Sequence, residues 1–339
     1  MLTIQELLMK YTKDEMEMAA MQLGLPLRRK NARKAEWADI ITRGMQEEPE
    51  RVRMLLTLAQ IRAIRDQMER GEDVSTEDAE NHEDLWDGLL TLMRFGLVNR
   101  ERSLWRIQPC LQSMLSMTEA DEEEHKLFDV IANLIEGWLI HVGMMPLEKL
   151  IDCISDQLEP EEEAKEEIRS VIFALLIARR GSGCLFPDEH DEPWVVHEDV
   201  DDPDVLLCRL QEAHVSALSY PEYDAEALLF SALYTHLPGD LSLYEPLKQW
   251  LDRHDADEDA FEDAIETMVY LAQNDDIDEA INSVMELVVP RDLKDANLCA
   301  KACQKVLNSI PRWCNKGHSP ESFRRDLQPL RRSPPSGQE

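Results

Sequence analysis

Short amphipathic helices, punctuated by Asp, Pro and Gly, follow one another along the chain and point to a mainly α fold. In "YTKDEMEMAAMQLGLP", Thr12 stands three residues before Glu15, the spacing of a capping box. Met16, Ala19, Ala20 and Leu23 then recur on one helical face. Gly24 suits the left-handed position after a last turn, and Pro26 forbids continuation. A basic connector, "LRRKNARK", leads to a second helix from Lys34 to Met45 with Trp37, Ile40 and Ile41 on one face. The expected product is a helix–extended–helix module within residues 1–48, with Trp37 buried under Met16, Ala20 and Leu23. Gly is scarce, 12 in 339 residues, and Met is frequent at 15. Both favour helix over sheet.

The next stretch, "EEPERVRMLLTLAQIRAIRDQMERG", reads as one helix ending near Gly71. In "EDLWDGLLTLMRFGLVNRERSLWRIQP", Leu85, Leu89, Leu92 and Met93 give a helical face. A polar turn and the short strand "LWRI" follow. Helix, turn and strand in this order are winged-helix-like. A comparable pattern recurs. "LFDVIANLIEGWLIHVGMMPLEKLIDCISDQL" gives two helices broken near "VGMM", with Pro146 at the start of the second. A third helix, "PEEEAKEEIRSVIFALLIARRG", precedes "CLFPDEHDEPWVVHEDV", which reads as strand, acidic turn and strand. Residues 49–202 are therefore expected to form helical units with two small β-hairpins. Residues 203–323 read as a C-terminal irregular helical array, and 324–339 as a flexible basic tail. No repeat of 33 to 47 residues is evident, which excludes a regular solenoid.

The net charge of -33 is unevenly placed. Residues 1–65 hold 12 Lys+Arg against 9 Asp+Glu, and residues 291–339 hold 10 against 5. That leaves 14 against 55 in the intervening body. Such a body repels nucleic acid and keeps the chain in solution. Only the ends are suited to meet a phosphate backbone. Seven cysteines, an odd number spread over a long chain, read as reduced thiols. With no apolar membrane span and no signal core in "MLTIQELLMKYTKDE", the expected location is the cytoplasm.

No Gly-rich phosphate loop, Gly-x-Ser-x-Gly elbow or His-Glu-x-x-His occurs. The acidic runs "SDQLEPEEEAKEE" and "RHDADEDAFEDAIE" read as solvated helix starts; the second lacks the glycine of a calcium loop. His141 stands where it would cap a helix, and His214 and His236 lie on helical stretches; all three are expected to be buried and hydrogen-bonded. Cys299, Cys303, Cys314 and His318 form Cys-x3-Cys-x10-Cys-x3-His, a set of types that zinc accepts. A helical Cys-x3-Cys is atypical of zinc knuckles, and Cys is a common small core residue. The expectation is structural thiols, with no metal and no cofactor.

Two resemblances add to this. The features "GLPL", the basic link and "KAEWADII" resemble the SAP-like and Rho-termination-factor N-terminal modules. Those commonly bind DNA or RNA through the link and the start of the second helix. The resemblance implies Arg28, Arg29, Lys30, Arg33 and Lys34 as nucleic-acid contacts. The segment "LNSIPRWCNKGHSPESF" resembles the tail of a Firmicutes family that pairs such an N-terminus with a SEC-C zinc-binding motif. The matching positions are Asn308, Pro311, Arg312, Trp313, Asn315, Lys316, Gly317, His318, Ser319 and Pro320. Ser322-Phe323 stands where Glu-Leu is usual, and the SEC-C knuckle itself is absent. From the residues alone, Trp313 is expected to pack the last helix onto the body. Gly317 should make a tight turn, and Ser319-Pro320 should start a short helix or extended exit. Arg324, Arg325, Arg331 and Arg332 would lie over the acidic body. The expected function is a non-catalytic adaptor or regulator working through protein–protein contacts of the acidic body. The alternative is a regulator that binds nucleic acid weakly through the basic link.

Overall fold

The computed structural model describes residues 2–26, 32–71, 74–158, 164–188, 190 and 192–325. It is mainly helical with two small antiparallel sheets. Among the described residues no helix is long and apolar enough to cross a membrane. The chain divides into two compact units, Met1–Ala132 with Glu161–Gly181 and Asn133–Pro160 with Ser182–Glu339.

The first unit opens with α1 (Ile4–Leu8), α2 (Lys13–Gln22) and α3 (Lys34–Glu47). Thr3 and Thr12 each close a capping box, with Glu6 and Glu15. Trp37 is buried in the same cluster as Met16, Ala20 and Leu23, as the apolar spacing required. The end of α2 is tied down from a distance: Arg51 donates to the carbonyls of Leu23 (2.7 Å) and Gly24 (2.9 Å).

The single helix expected to end near Gly71 is two, α4 (Glu50–Arg53) and α5 (Leu58–Arg70). Thr57 is extended and starts a new capping box with Gln60. Buried His125 and half-buried Asp129 then satisfy the backbone freed at the break. His125 Nε2 donates to Leu56 O at 2.9 Å, and Leu58 N donates to Asp129 Oδ2 at 3.0 Å. Asp129 also pairs with the buried guanidinium of Arg180.

The chain continues through β1 (Val74–Ser75), α6 (Thr76–Glu80), α7 (Glu83–Met93), β2 (Val98–Glu101) and β3 (Leu104–Ile107). β3 lies between β1 and β2, with Trp105 opposite Val74 and Ile107 opposite Val98. After α8 (Leu111–Met114) come α9 (Glu119–Val142), β4 (Met144–Pro146), α10 (Leu147–Leu158), α11 (Lys165–Ala178), β5 (Gly183–Pro187) and β6 (Pro193–His197). β6 likewise lies between β4 and β5. Both stretches run helix–strand–helix–helix–strand–strand with the same sheet order, the connectivity of a winged helix. Each expected hairpin thus gains a third strand, of two or three residues. The acidic run at 159–163 lies outside the described residues.

The rest of the second unit is α12 (Pro203–Gln211), α13 (Ala213–Ser216), α14 (Ala225–Phe230), α15 (Glu245–Asp252), α16 (Glu258–Gln273), α17 (Ile277–Leu287) and α18 (Leu293–Ser309). Much of its acidity serves helix starts. Asp202, Asp224, Asp257, Asp276 and Asp292 each accept a backbone N–H in the first turn of the helix they precede. Each cap stabilises its helix by about 1 kcal/mol. The core under this array holds Tyr244, Trp250, Ile265, Met268, Cys299 and Cys303.

Candidate functional site: an acidic groove in the second unit

The C-terminal motif is consumed by the fold. Trp313 is buried; its backbone N–H donates to Gln273 Oε1 (2.9 Å) and its indole Nε1 to Ile140 O (3.0 Å). Gly143, at φ +68°, passes so close to the Trp313 ring that a Cβ there would lie 2.4 Å from it. Gln273 Nε2 donates to Pro311 O at 2.9 Å, and the Arg312 guanidinium donates to Ala272 O. Gly317 (φ +83°) makes the expected turn, its carbonyl accepting from Tyr223 Oη at 2.7 Å. Lys316 Nζ donates to Leu218 O, and His318 Nε2 to Ser219 O. Ser319 Oγ accepts from Ser322 N and caps a helical turn that begins at Pro320. The motif is a clasp that fastens the end of α18 to the loop at 218–223 and the end of α9. Arg324 reaches the side chain of Asn308 rather than a carboxylate. Arg331 and Arg332 lie outside the described residues.

The four candidate zinc ligands are used separately. Cys299 and Cys303 lie in the helical core with their sulfurs 3.9 Å apart, Cys314 Sγ meets Asn315 Oδ1, and His318 is held by Ser219. Burial pushes the Cys314 thiol up, away from the thiolate a metal needs. Among the described residues no three His, Cys, Asp or Glu side chains gather as metal ligands do.

Arg28, Arg29 and Lys30 of the basic link lie outside the described residues. Arg33 is exposed and Lys34 half-buried, at the start of α3. There the Glu36 carboxylate accepts the Arg33 backbone N–H at 3.0 Å. In a winged helix the third helix reads DNA. The third helices here open on carboxylates: Glu83 and Asp84 in α7, Glu166 and Glu167 in α11. Asp87, one turn into α7, is pushed up by burial and by Glu83 and Asp84. The wing residue Arg100 lies over the rings of Trp86 and Trp105.

The open feature of the second unit is a groove. One part, of about 480 Å³, is floored by Ile140, Leu237, Val269 and Trp313, with His197, Asp199 and Tyr270 at its sides. A second part, of about 500 Å³, adjoins it at His236, Leu237 and Glu266. This part is lined by Tyr234, Leu241, Leu251 and Phe261, with Asp252, Asp257, Glu258 and Glu262 around them. Lys248, over the Phe261 ring, is the lysine on this rim.

Local structure marks the same place. α14 widens into a π turn at Ser231–Thr235, a feature frequent at functional sites. It exposes Phe230, Leu233 and Tyr234, the last at 73%. His236 ends it at φ +49°, a conformation that costs a non-glycine residue energy, and faces Glu136 at 3.4 Å.

In the first part of the groove His197, Tyr270 and Gln273 have hydrogen-bond partners of their own. His197 is buried, which lowers its pKa, and its Nδ1 accepts the Asp199 backbone N–H. Tyr270 Oη donates to Asp201 at 2.8 Å, and Gln273 is spent on the clasp. His214 and His236, expected to be buried, are exposed because both stand at helix ends that face solvent. The buried histidines are His125, His141 and His197. His141 does not cap its helix end. Its Nδ1 donates back to Gly137 O, and its Nε2 accepts from Gly239 N at 3.0 Å. Sequence reasoning missed the groove. The signal it held was the run 252–266, in which Phe261 and Ile265 interrupt carboxylates at helical spacing.

Comparison with protein-family models, with curated proteins and with solved structures finds no match.

Proposed function

We propose that this chain is a non-catalytic adaptor whose second unit receives a basic amphipathic helix of a partner protein in the groove. The observation that carries this reading is the lining: an apolar and aromatic floor under a rim of Asp252, Asp257, Glu258, Glu262 and Glu266. A helix laid in such a groove buries its apolar face and places its cations against the carboxylates. The hydrogen bonds that already engage His197, Tyr270 and Gln273 support binding rather than catalysis. The acidic first turns of α7 and α11 support a protein partner over a nucleic acid, since phosphates would meet like charge there.

The test is a fluorescence-anisotropy titration with a labelled helical peptide of Leu and Lys in amphipathic register. Binding that weakens at least tenfold (about 1.4 kcal/mol) in a Glu262→Lys, Glu266→Lys variant is the expected result. A peptide with Glu in place of Lys should not bind. No anisotropy change with the Lys peptide, or equal affinity in the variant, sinks the reading.

A further inference from the structure

We infer that the helix received by the groove is α18 of a second copy of this chain. This rests on the reading of the groove as a receptor for a basic amphipathic helix, and it names the partner.

The chain carries such a face itself. On α18, Lys294, Lys301 and Lys305 recur at intervals of seven and four residues, which puts them on one side of the helix. Cys299, Cys303 and Val306 occupy the opposite side, in the core. All three lysines are exposed, and none of their ammonium groups has an ion pair or hydrogen bond with a described residue. Between them lie Asn297, Leu298 and Gln304, also exposed. The lone carboxylate within α18, Asp295, is turned away and fully used. It accepts from Arg291 N (2.9 Å), Trp250 Nε1 (3.1 Å) and His254 Nε2 (2.6 Å). In a chain with 69 acidic residues against 36 basic ones, this is an acid-free basic strip on a solvent-facing helix.

The strip is also apolar where a docking helix needs it. Leu293 is 81% exposed and Leu298 43%, and Val289 just before the helix is 75% exposed. Those side chains match the floor of the groove, as the lysines match its rim. A nucleic acid fits less well, because α18 has no aromatic residue on which a base could stack.

Groove and strip are different surfaces, so each copy offers one of each. Exchanged reciprocally, the contact closes a two-fold dimer; exchanged head-to-tail, it makes a ring or an open chain. The net charge of -33 opposes it at low salt. Screening at physiological ionic strength confines that repulsion to about 8 Å and leaves the contact pairs effective.

Sedimentation equilibrium of the full chain tests this. The average mass should rise with concentration at physiological salt. The Lys301→Glu, Lys305→Glu variant and the Glu262→Lys, Glu266→Lys variant should each sediment as monomers. Mixing the two should restore association, because each then offers the charge the other lacks. A wild-type chain that remains monomeric up to millimolar concentration overturns the inference, as does a lysine variant that associates like wild type. If the wild type is monomeric but still binds the Leu/Lys peptide through Glu262 and Glu266, only the partner is wrong and the groove reading stands. A monomeric wild type whose lysine variant loses RNA binding would make the strip a phosphate site instead.

Discussion

In the first unit, buried and half-buried polar side chains close gaps in the backbone; in the second, a row of carboxylates stays in solvent beside an apolar groove. Asp129 joins Arg180 to the start of α5, and His125 takes the carbonyl left by the break before it. Arg53 donates to the carbonyls of Met114 and Ser116. The second unit has its own example in Arg312. What it has in addition is Glu262 and Glu266, exposed next to Phe261 and Ile265 and used by no cap. A charge bonded to backbone is accounted for by folding. A charge held in solvent beside apolar surface is not, and the proposed adaptor reading gives it a partner.

The largest expected effect is on the first kind of charge. Asp129→Ala leaves Arg180 buried without its partner and should cost about 3–5 kcal/mol. Urea denaturation would show it as a large drop in midpoint; a shift no bigger than that of a surface substitution would mean Arg180 finds water in the folded state.

Acid should act next, through the buried histidines. Burial lowers His141 from 6.5 to about 4, and His125 and His197 shift the same way. As pH falls below 6.5 the unfolded chain takes up the proton first. The stability present above that value is therefore lost between 6.5 and 4, about 3 kcal/mol for His141 alone. Denaturation midpoints that stay level across this interval would contradict the buried neutral state.

A single cap matters less. Asp257→Ala, at the start of α16, should cost about 1 kcal/mol, read by the same denaturation. The groove itself should matter least to stability and most to binding. Glu262→Lys with Glu266→Lys should leave stability within about 0.5 kcal/mol while peptide affinity falls at least tenfold. A loss of several kcal/mol there would mean the carboxylates hold the fold, and the contrast between the two units would fail.

Features set within three or four residues could be read from the sequence. Thr12 with Glu15 marked the start of α2, Gly24 and Pro26 its end, and the polar turns after α7 and α11 marked the hairpins. Cap bonds and hairpin pairs join near neighbours, so residue order alone specifies them. Trp37 was also legible, because helical spacing puts it on the apolar face. What the tertiary structure decided depends on partners far along the chain. The third strand of each sheet, β1 or β4, is too short to signal itself and forms because a later strand pairs with it. The helix break at Thr57 is held by His125 and Asp129, some 70 positions away. Trp313 finds its hydrogen bonds at Gln273 and Ile140, which made a ligand-like motif into a clasp. The acidic run at 253–266 read as a solvated helix start, which α16 is. Only packing placed Tyr234, Leu237 and Leu241 beside it and made one side of that run the rim of a groove. Charge is a property of each residue, but which charges stand next to exposed apolar surface is set by contacts between distant segments.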